Sequence, residues 1–126
     1  MCISNLKTYE KQIAEKDIIV LKVIKRDNKN RLISPVFSDV WDIGIERIVG
    51  FKIIRDCFEY PKDLYKTTTG FYSFDSSCDP KFCSMAFGHL GKGLEVYEAT
   101  ISKGAEYIKE GNQFCSNRLK LIKRVL

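Results

Sequence analysis

The clearest pattern along the chain lies in "DIIVLKVIKR", residues 17 to 26, where both alternating sets, Ile18/Val20/Ile24 and Ile19/Leu21/Val23, are apolar. A strand covered on one face alternates apolar with polar residues, so this β-branched run predicts a strand buried on both faces. Lys22 is the single break in it. A second alternation, "LEVYEATISKG" (94 to 104), sets Tyr97, Ala99 and Ile101 on one face, with Glu95 on the same side near its open end. "NRLKLIKRVL" (117 to 126) turns Leu119 and Leu121 inward and leaves Arg118, Lys120 and Lys123 outward or along an edge.

Between these runs the pattern is more broken. "DNKN" (27 to 30) predicts a polar turn, and "RLISPVF" (31 to 37) resumes an extended chain in which Pro35 forces Ser34 away from helix. "SDVWDIGIERIVGFKIIRD" (38 to 56), interrupted by Gly44 and Gly50, predicts two short strands, or one strand and an irregular loop. "CFEYPKDLYKTTTG" (57 to 70) reads as a loop, and "TTTGFYSF" (67 to 74) as an aromatic strand. Ser77 or Asp79 can cap a helix that starts with Pro80, runs to about His89 and stops at "GKG". Near the start, "SNLKTYEKQIAEKD" can form a short helix capped by Ser4 or Asn5, with a weak stripe of Ile3, Leu6 and Ile13. Five or six strands and one or two short helices predict a single compact α+β domain over residues 1–126, its sheet mostly antiparallel.

Composition supports that picture. The 126 residues are 44% hydrophobic and 29% charged, close to globular averages, with no Pro/Gly/Ser linker and no repeat. No apolar run nears the roughly 18 residues of a membrane helix. The first residues, "MCISNLKTYEKQIAEKD", are polar where a secretion signal would be apolar. Five cysteines, an odd number, fit reduced thiols in a cytoplasmic protein better than a disulfide framework. The net charge of +5 favours anionic partners only mildly and also serves plain solubility.

Candidate chemistry concentrates in "CDPKFCSMAFGH", where Cys78, Cys83 and His89 fall within twelve positions. Zinc sites usually pair cysteines as C-x2-C, because a tight turn aims both thiolates at one ion; C-x4-C followed by x5 and His would need a distorted turn. The simpler expectation is a short helix whose Phe82, Met85 and Phe87 fill the core. A Cys/His nucleophile would need Cys57, Cys115 or Cys2 to approach His89 in space. "TTTGFYS" and "FGHLGKG" carry phosphate-binding residue types but match no phosphate-loop pattern. Glu95, Glu98, Glu106 and Glu110 are expected to face solvent, Glu95 and Glu98 on opposite faces. Arg118, Lys120, Lys123 and Arg124 are expected to mark an edge strand guarded against aggregation.

Taken together, "IIVLKVIKR", "SP", "TGFYSF", "EVYEATISKGAEYIKEG" and "CSNRLKLIKRV" resemble a small uncharacterised protein family of bacteriophages and gut Bacteroidetes. That family carries a "GFHSF"-like strand and a C-terminal "IPKGT-YY-G-YASD"-like pattern; this chain departs at Tyr72, where the pattern has histidine, and at Ser102, where it has proline. The resemblance implies a phage or mobile-element accessory protein that binds a host component or its nucleotide signal.

The residues then favour a non-catalytic binding module, with Tyr72, Arg55, Lys66 and His89 as ligand-binding candidates and no cofactor or metal. Its partner would be a host protein or a small anionic ligand rather than a membrane or nucleic acid, and a homo-oligomer is compatible with it. One alternative is a nucleotide-handling transferase similar to ADP-ribosyltransferases, using Thr68 or Thr69 with Glu98 or Glu106. Another is a zinc-stabilised interaction domain, using Cys78, Cys83 and His89 with Cys57 or Cys115.

Overall fold

Ile18–Arg26, the doubly apolar run, forms the longest strand and the axis about which the others are arranged. The structure is a computed structural model and describes residues 11–35, 39–50, 53–55, 65–67, 70–88 and 93–126. In chain order the strands are β1 (Gln12–Ile13), β2 (Ile18–Arg26), β3 (Leu32–Ile33), β4 (Val40–Trp41), β5 (Glu46–Ile48), β6 (Ile53–Arg55), β7 (Tyr65–Thr67), β8 (Phe71–Asp75), β9 (Glu95–Ile101), β10 (Glu106–Glu110), β11 (Gln113–Ser116) and β12 (Arg118–Arg124); the helix is α1 (Pro80–Ala86). The α+β class holds, with every described pairing antiparallel. The expectation of five or six strands does not: ten strands form the main sheet, and β6 and β7 form a separate two-stranded ribbon.

The excess arises in three places. The expected N-terminal helix gives way at its described end to β1, which pairs with β10 through Gln12↔Tyr107. Residues 38–56 supply three strands rather than one or two. A further hairpin, β10–β11, turns through Gly111 and Asn112, with Gly111 at φ +57, where L-residues other than glycine are strained.

Along the sheet the order is β1-β10-β11-β8-β2-β9-β12-β5. Only Asn117 separates β11 from β12, yet β11 pairs with β8 and β12 with β9. Residues 113–124 are therefore one long bent strand that joins both flanks of β2, and the circuit β8–β2–β9–β12–β11 is completed by the chain itself at Asn117 rather than by a ladder between β11 and β12. At the bend, Asn117 donates its backbone N–H to Glu106 O (3.0 Å) and accepts one from Val49 N (2.9 Å). Its side-chain Oδ1 accepts from Glu106 N (2.8 Å), so the corner leaves its backbone groups satisfied. The circuit encloses Val20, Ile24, Phe71, Tyr97, Ala99, Ile101, Phe114, Leu119 and Leu121. Burial of each large member is worth about 1.5–3 kcal/mol.

The opposite face of β2 and β9 is covered by α1, which packs Cys83 and the following Phe87 onto Leu21, Val23, Phe74 and Val96. Asp79 caps the helix by accepting from Lys81 N (2.9 Å), and Pro80 occupies the first turn, as expected from the sequence. The face of α1 is not the expected one. Phe82 and Met85 point to solvent, Met85 at 76% exposure, while the smaller Cys83 is fully buried. With only seven residues the helix touches the sheet along a narrow line, and Cys83 lies on that line.

β12 is likewise not an edge: Lys120 pairs with Thr100 of β9 on one side and Glu46 of β5 on the other. Its inward Leu119 and Leu121 are as expected.

Candidate functional site

β2 has two partners in succession along one of its edges. Val20 and Leu21 pair with Asp75 and Phe74 of β8, after which that ladder stops; Lys25 and Arg26 pair instead with Ile33 and Leu32 of β3. Residues 22–24 span the fork between the two partners. Continuing the β2–β8 register by one step sets Lys22 opposite Ser73, on the face that carries Val20, Ile24 and Tyr97.

Lys22 is thus a lysine turned into the enclosed core, 7% exposed. Its ammonium donates to Tyr72 O at 2.8 Å, satisfying a carbonyl near the point where the ladder ends. Nζ lies 5.9 Å from the centroid of the Trp41 ring, a cation–π distance. Among the described residues no carboxylate comes within ion-pair distance of it. Burial therefore dominates its titration and pushes the group from 10.5 down to about 8, although Asp39 and Cys115 pull the other way. At pH 7 about nine in ten molecules still carry the charge.

Trp41 forms the wall of the fork. Its indole N–H donates to Ser34 Oγ at 2.7 Å, and its ring meets Phe71 edge-on at 5.0 Å. Arg47 of β5 lies over both rings, 5.2 and 5.7 Å from their centroids, and donates to Val40 O at 2.6 Å. Two cations thus share one aromatic ring. Ser73, 3% exposed, has a hydroxyl oxygen with no hydrogen-bond partner, and such a group costs free energy until something pairs with it.

A small cleft with room for about one water molecule lies at the fork. Val23, Tyr72, Phe74, Phe87 and Gln113 line it on the face covered by α1; Lys22 and Ser73 border it where the two strands part, and the register turns their side chains to the opposite face. Further along the same side of β2, Glu95 is held by Arg26 (2.8 Å), by the Tyr97 hydroxyl (3.0 Å) and by Arg124 (3.5 Å). Burial raises its pKa, but these partners outweigh burial and hold the carboxyl below its ordinary value. The expectation that Glu95 faces solvent is corrected: it is 5% exposed, because Arg26 and Arg124 neutralise it within the sheet.

Of the ligand-binding candidates read from the sequence, Tyr72 lines the cleft. Arg55 and Lys66 lie on the β6–β7 ribbon, opposite Tyr65 and Ile54 respectively. His89 lies outside the described residues, as do Thr68, Thr69, Cys57 and Cys2. Cys78 is half-buried and packs against the cluster that holds Cys83, whose thiol is pushed up to about 12, first by burial and then by Cys78. Among the described residues no group of three metal-ligating side chains is assembled. Lys22, Ser73 and Trp41 were not singled out as a site from sequence. The one available signal was the lysine itself, an interior charge in the apolar run Ile18–Ile24.

No protein-family model, curated protein sequence or solved structure matches the chain. No described helix is long and apolar enough to cross a membrane.

Proposed function

We propose that the protein is a non-catalytic binding module that takes a small anionic ligand at the fork between β2 and β8. The observation that carries this reading is the buried ammonium of Lys22, left without an ion-pairing carboxylate among the described residues. A buried charge lacking a counter-ion is expensive, and an anion reaching it at the fork offsets that cost. The non-catalytic part rests on the same surroundings: no described carboxylate stands within ion-pair reach of Lys22 to exchange a proton with it, and Glu95 is committed to two arginines. The resemblance to phage and Bacteroidetes chains agrees with a small accessory protein that sequesters a ligand. Native mass spectrometry of the purified protein, repeated after acid denaturation, tests the reading. Release of a small anionic mass, reduced in Lys22→Met, supports it; a bare mass from both proteins counts against it.

A protein partner is a second reading, favoured by a separate observation. Val40, Ile43, Ile45 and Ile48 are all exposed along the β4–β5 segment, and β5 ends the sheet order. Apolar side chains clustered beside an edge strand suit a protein surface. Loss of complex formation in Ile45→Lys, with the fold intact by circular dichroism, is the expected outcome.

A further inference from the structure

We infer that Cys78 and Cys83 form a dithiol modification site, which a low-molecular-weight disulfide converts by exchange into an intramolecular Cys78–Cys83 bond. The pair lies on the α1 side of the sheet and does not depend on the anion reading. Placement comes first. Asp79 caps α1, so Cys78 is the residue just before the cap and Cys83 is the fourth residue of the helix. Side chains at those two places meet across the first turn, where apolar residues often pack on each other. Here both are thiols. Cys83 belongs to the buried cluster of Leu21, Val23, Phe74, Phe87 and Val96, and Cys78 packs against that same cluster. Their approach is held by the backbone: Cys78 N–H donates to Asp75 O (3.0 Å) and Cys83 N–H to Asp79 O (3.1 Å), while Ser77 N–H donates to Asp75 Oδ1 (2.9 Å).

The two sulfurs also act on each other. Burial first, and then the charge of Cys78, push the Cys83 thiol up, and Cys78 is its side-chain hydrogen-bond partner. Both are free thiols, and Cys115, the other described cysteine, is not part of their cluster. Access then separates their roles. Cys78 is half-buried and Cys83 fully buried, so a reagent in solution reaches Cys78, and Cys78 is the thiol that lies beside Cys83.

The exchange runs in two steps. The Cys78 thiolate attacks one sulfur of the reagent, which forms a mixed disulfide and expels one thiolate; the Cys83 thiolate then attacks the Cys78 sulfur, which forms the Cys78–Cys83 bond and expels the second. The protons of the two cysteines end on the two released thiols, so the protein is oxidised by two electrons and the reagent is reduced by the same two. Once Cys78 carries the mixed disulfide, its charge no longer opposes ionisation of Cys83, whereas burial still does. The second step is therefore the slower one. Its product ties the loop after β8 to the residue through which α1 meets the sheet.

Oxidised glutathione is the probe, added to the intact chain at pH 7.5, with timed alkylation of the remaining thiols and mass spectrometry of tryptic peptides. Cleavage after Lys81 separates the two cysteines, because residues 67–81 carry Cys78 and residues 82–92 carry Cys83. Glutathione is expected first on 67–81. That species should then give way to 67–81 joined to 82–92, a pair that dithiothreitol separates. In Cys83→Ala the mixed disulfide on Cys78 should persist. In Cys78→Ala, Cys83 should take up glutathione more slowly than Cys78 does in the parent, by about tenfold or more. Cys78→Ala leaves the buried cluster intact, so it stays informative even if Cys83→Ala folds poorly. A mixed disulfide on Cys78 that never closes in the parent overturns the dithiol site, as does a bond from Cys78 to a different cysteine. First attack at Cys83, or no reaction at either cysteine, overturns it too.

Discussion

Replacing Lys22 with methionine, a side chain of similar length and no charge, should stabilise the protein at neutral pH and lose that advantage at alkaline pH. Lys22 titrates at about 8 in the folded chain, against 10.5 for an ordinary lysine. Each tenfold difference in proton affinity corresponds to 1.36 kcal/mol, so holding the charged lysine in the fold costs about 3 kcal/mol below pH 8. Between pH 8 and pH 10.5 the unfolded chain binds more protons than the folded one, and stability rises with pH through that window. Removing the amine also takes a hydrogen-bond donor from the Tyr72 carbonyl, at a cost of about 0.5–1.5 kcal/mol that does not vary with pH. The discriminating quantity is therefore the change with pH rather than the sign at one pH. Urea unfolding of both proteins at pH 7 and pH 10 should show the methionine variant losing about 2–3 kcal/mol of its relative stability over that interval. Titration of the other lysines cancels in the comparison. A difference between the two proteins that stays constant from pH 7 to pH 10 would refute the buried-charge argument.

The Glu95 cluster gives the opposite pH sense: its carboxyl is held low by Arg26, Tyr97 and Arg124 against the effect of burial, so its contribution is present above the unfolded carboxylate pKa and lost as acid protonates the folded form. Glu95→Gln should cost about 1–3 kcal/mol at pH 7, with the difference from the parent shrinking in acid unfolding curves. Asn117→Ala removes the acceptor for Glu106 N–H at the strand corner, and a loss of about 1–2 kcal/mol in chemical denaturation is expected. Of the described cysteines, Cys78 should react with a maleimide at pH 7.5 well before Cys83, whose thiol is raised to about 12 and fully buried. Mass spectrometry after timed quenching gives the order, and equal rates would place Cys83 outside the core.

The strands with strong alternation were legible because both faces of β2 and one face of β9 and β12 are decided by burial, which the hydrophobic pattern records directly. β10 and β11 were missed although their signal was present: "EYIKE" and "QFCS" flank Gly111–Asn112, a two-residue hairpin signature. The helix position was legible from Asp79 and Pro80, but its buried face was not. Size suggested Phe82 and Met85, whereas the geometry of contact selected Cys83. Glu95 was misjudged because its neutralising arginines lie on β2 and β12, far away in sequence. The fork escaped for a related reason: the exchange of β8 for β3 along one edge of β2 is a tertiary event, and only the isolated Lys22 within an apolar run hinted at it.

The bent strand at Asn117 also governs the order in which the fold can be assembled during synthesis. β2 emerges early with apolar side chains on both faces, but its long ladder is to β9, with Ile18 paired to Ile101. The circuit cannot close until residues 113–124 have been made and have turned the corner. Pairings so distant in sequence pay their loop-closure entropy before any contact rewards it, which places folding in the millisecond-to-second range of β-barrels. Until β9 is made, the long edge of β2 that it covers stays unpaired on a nascent chain, and that edge is the place for protection by a chaperone.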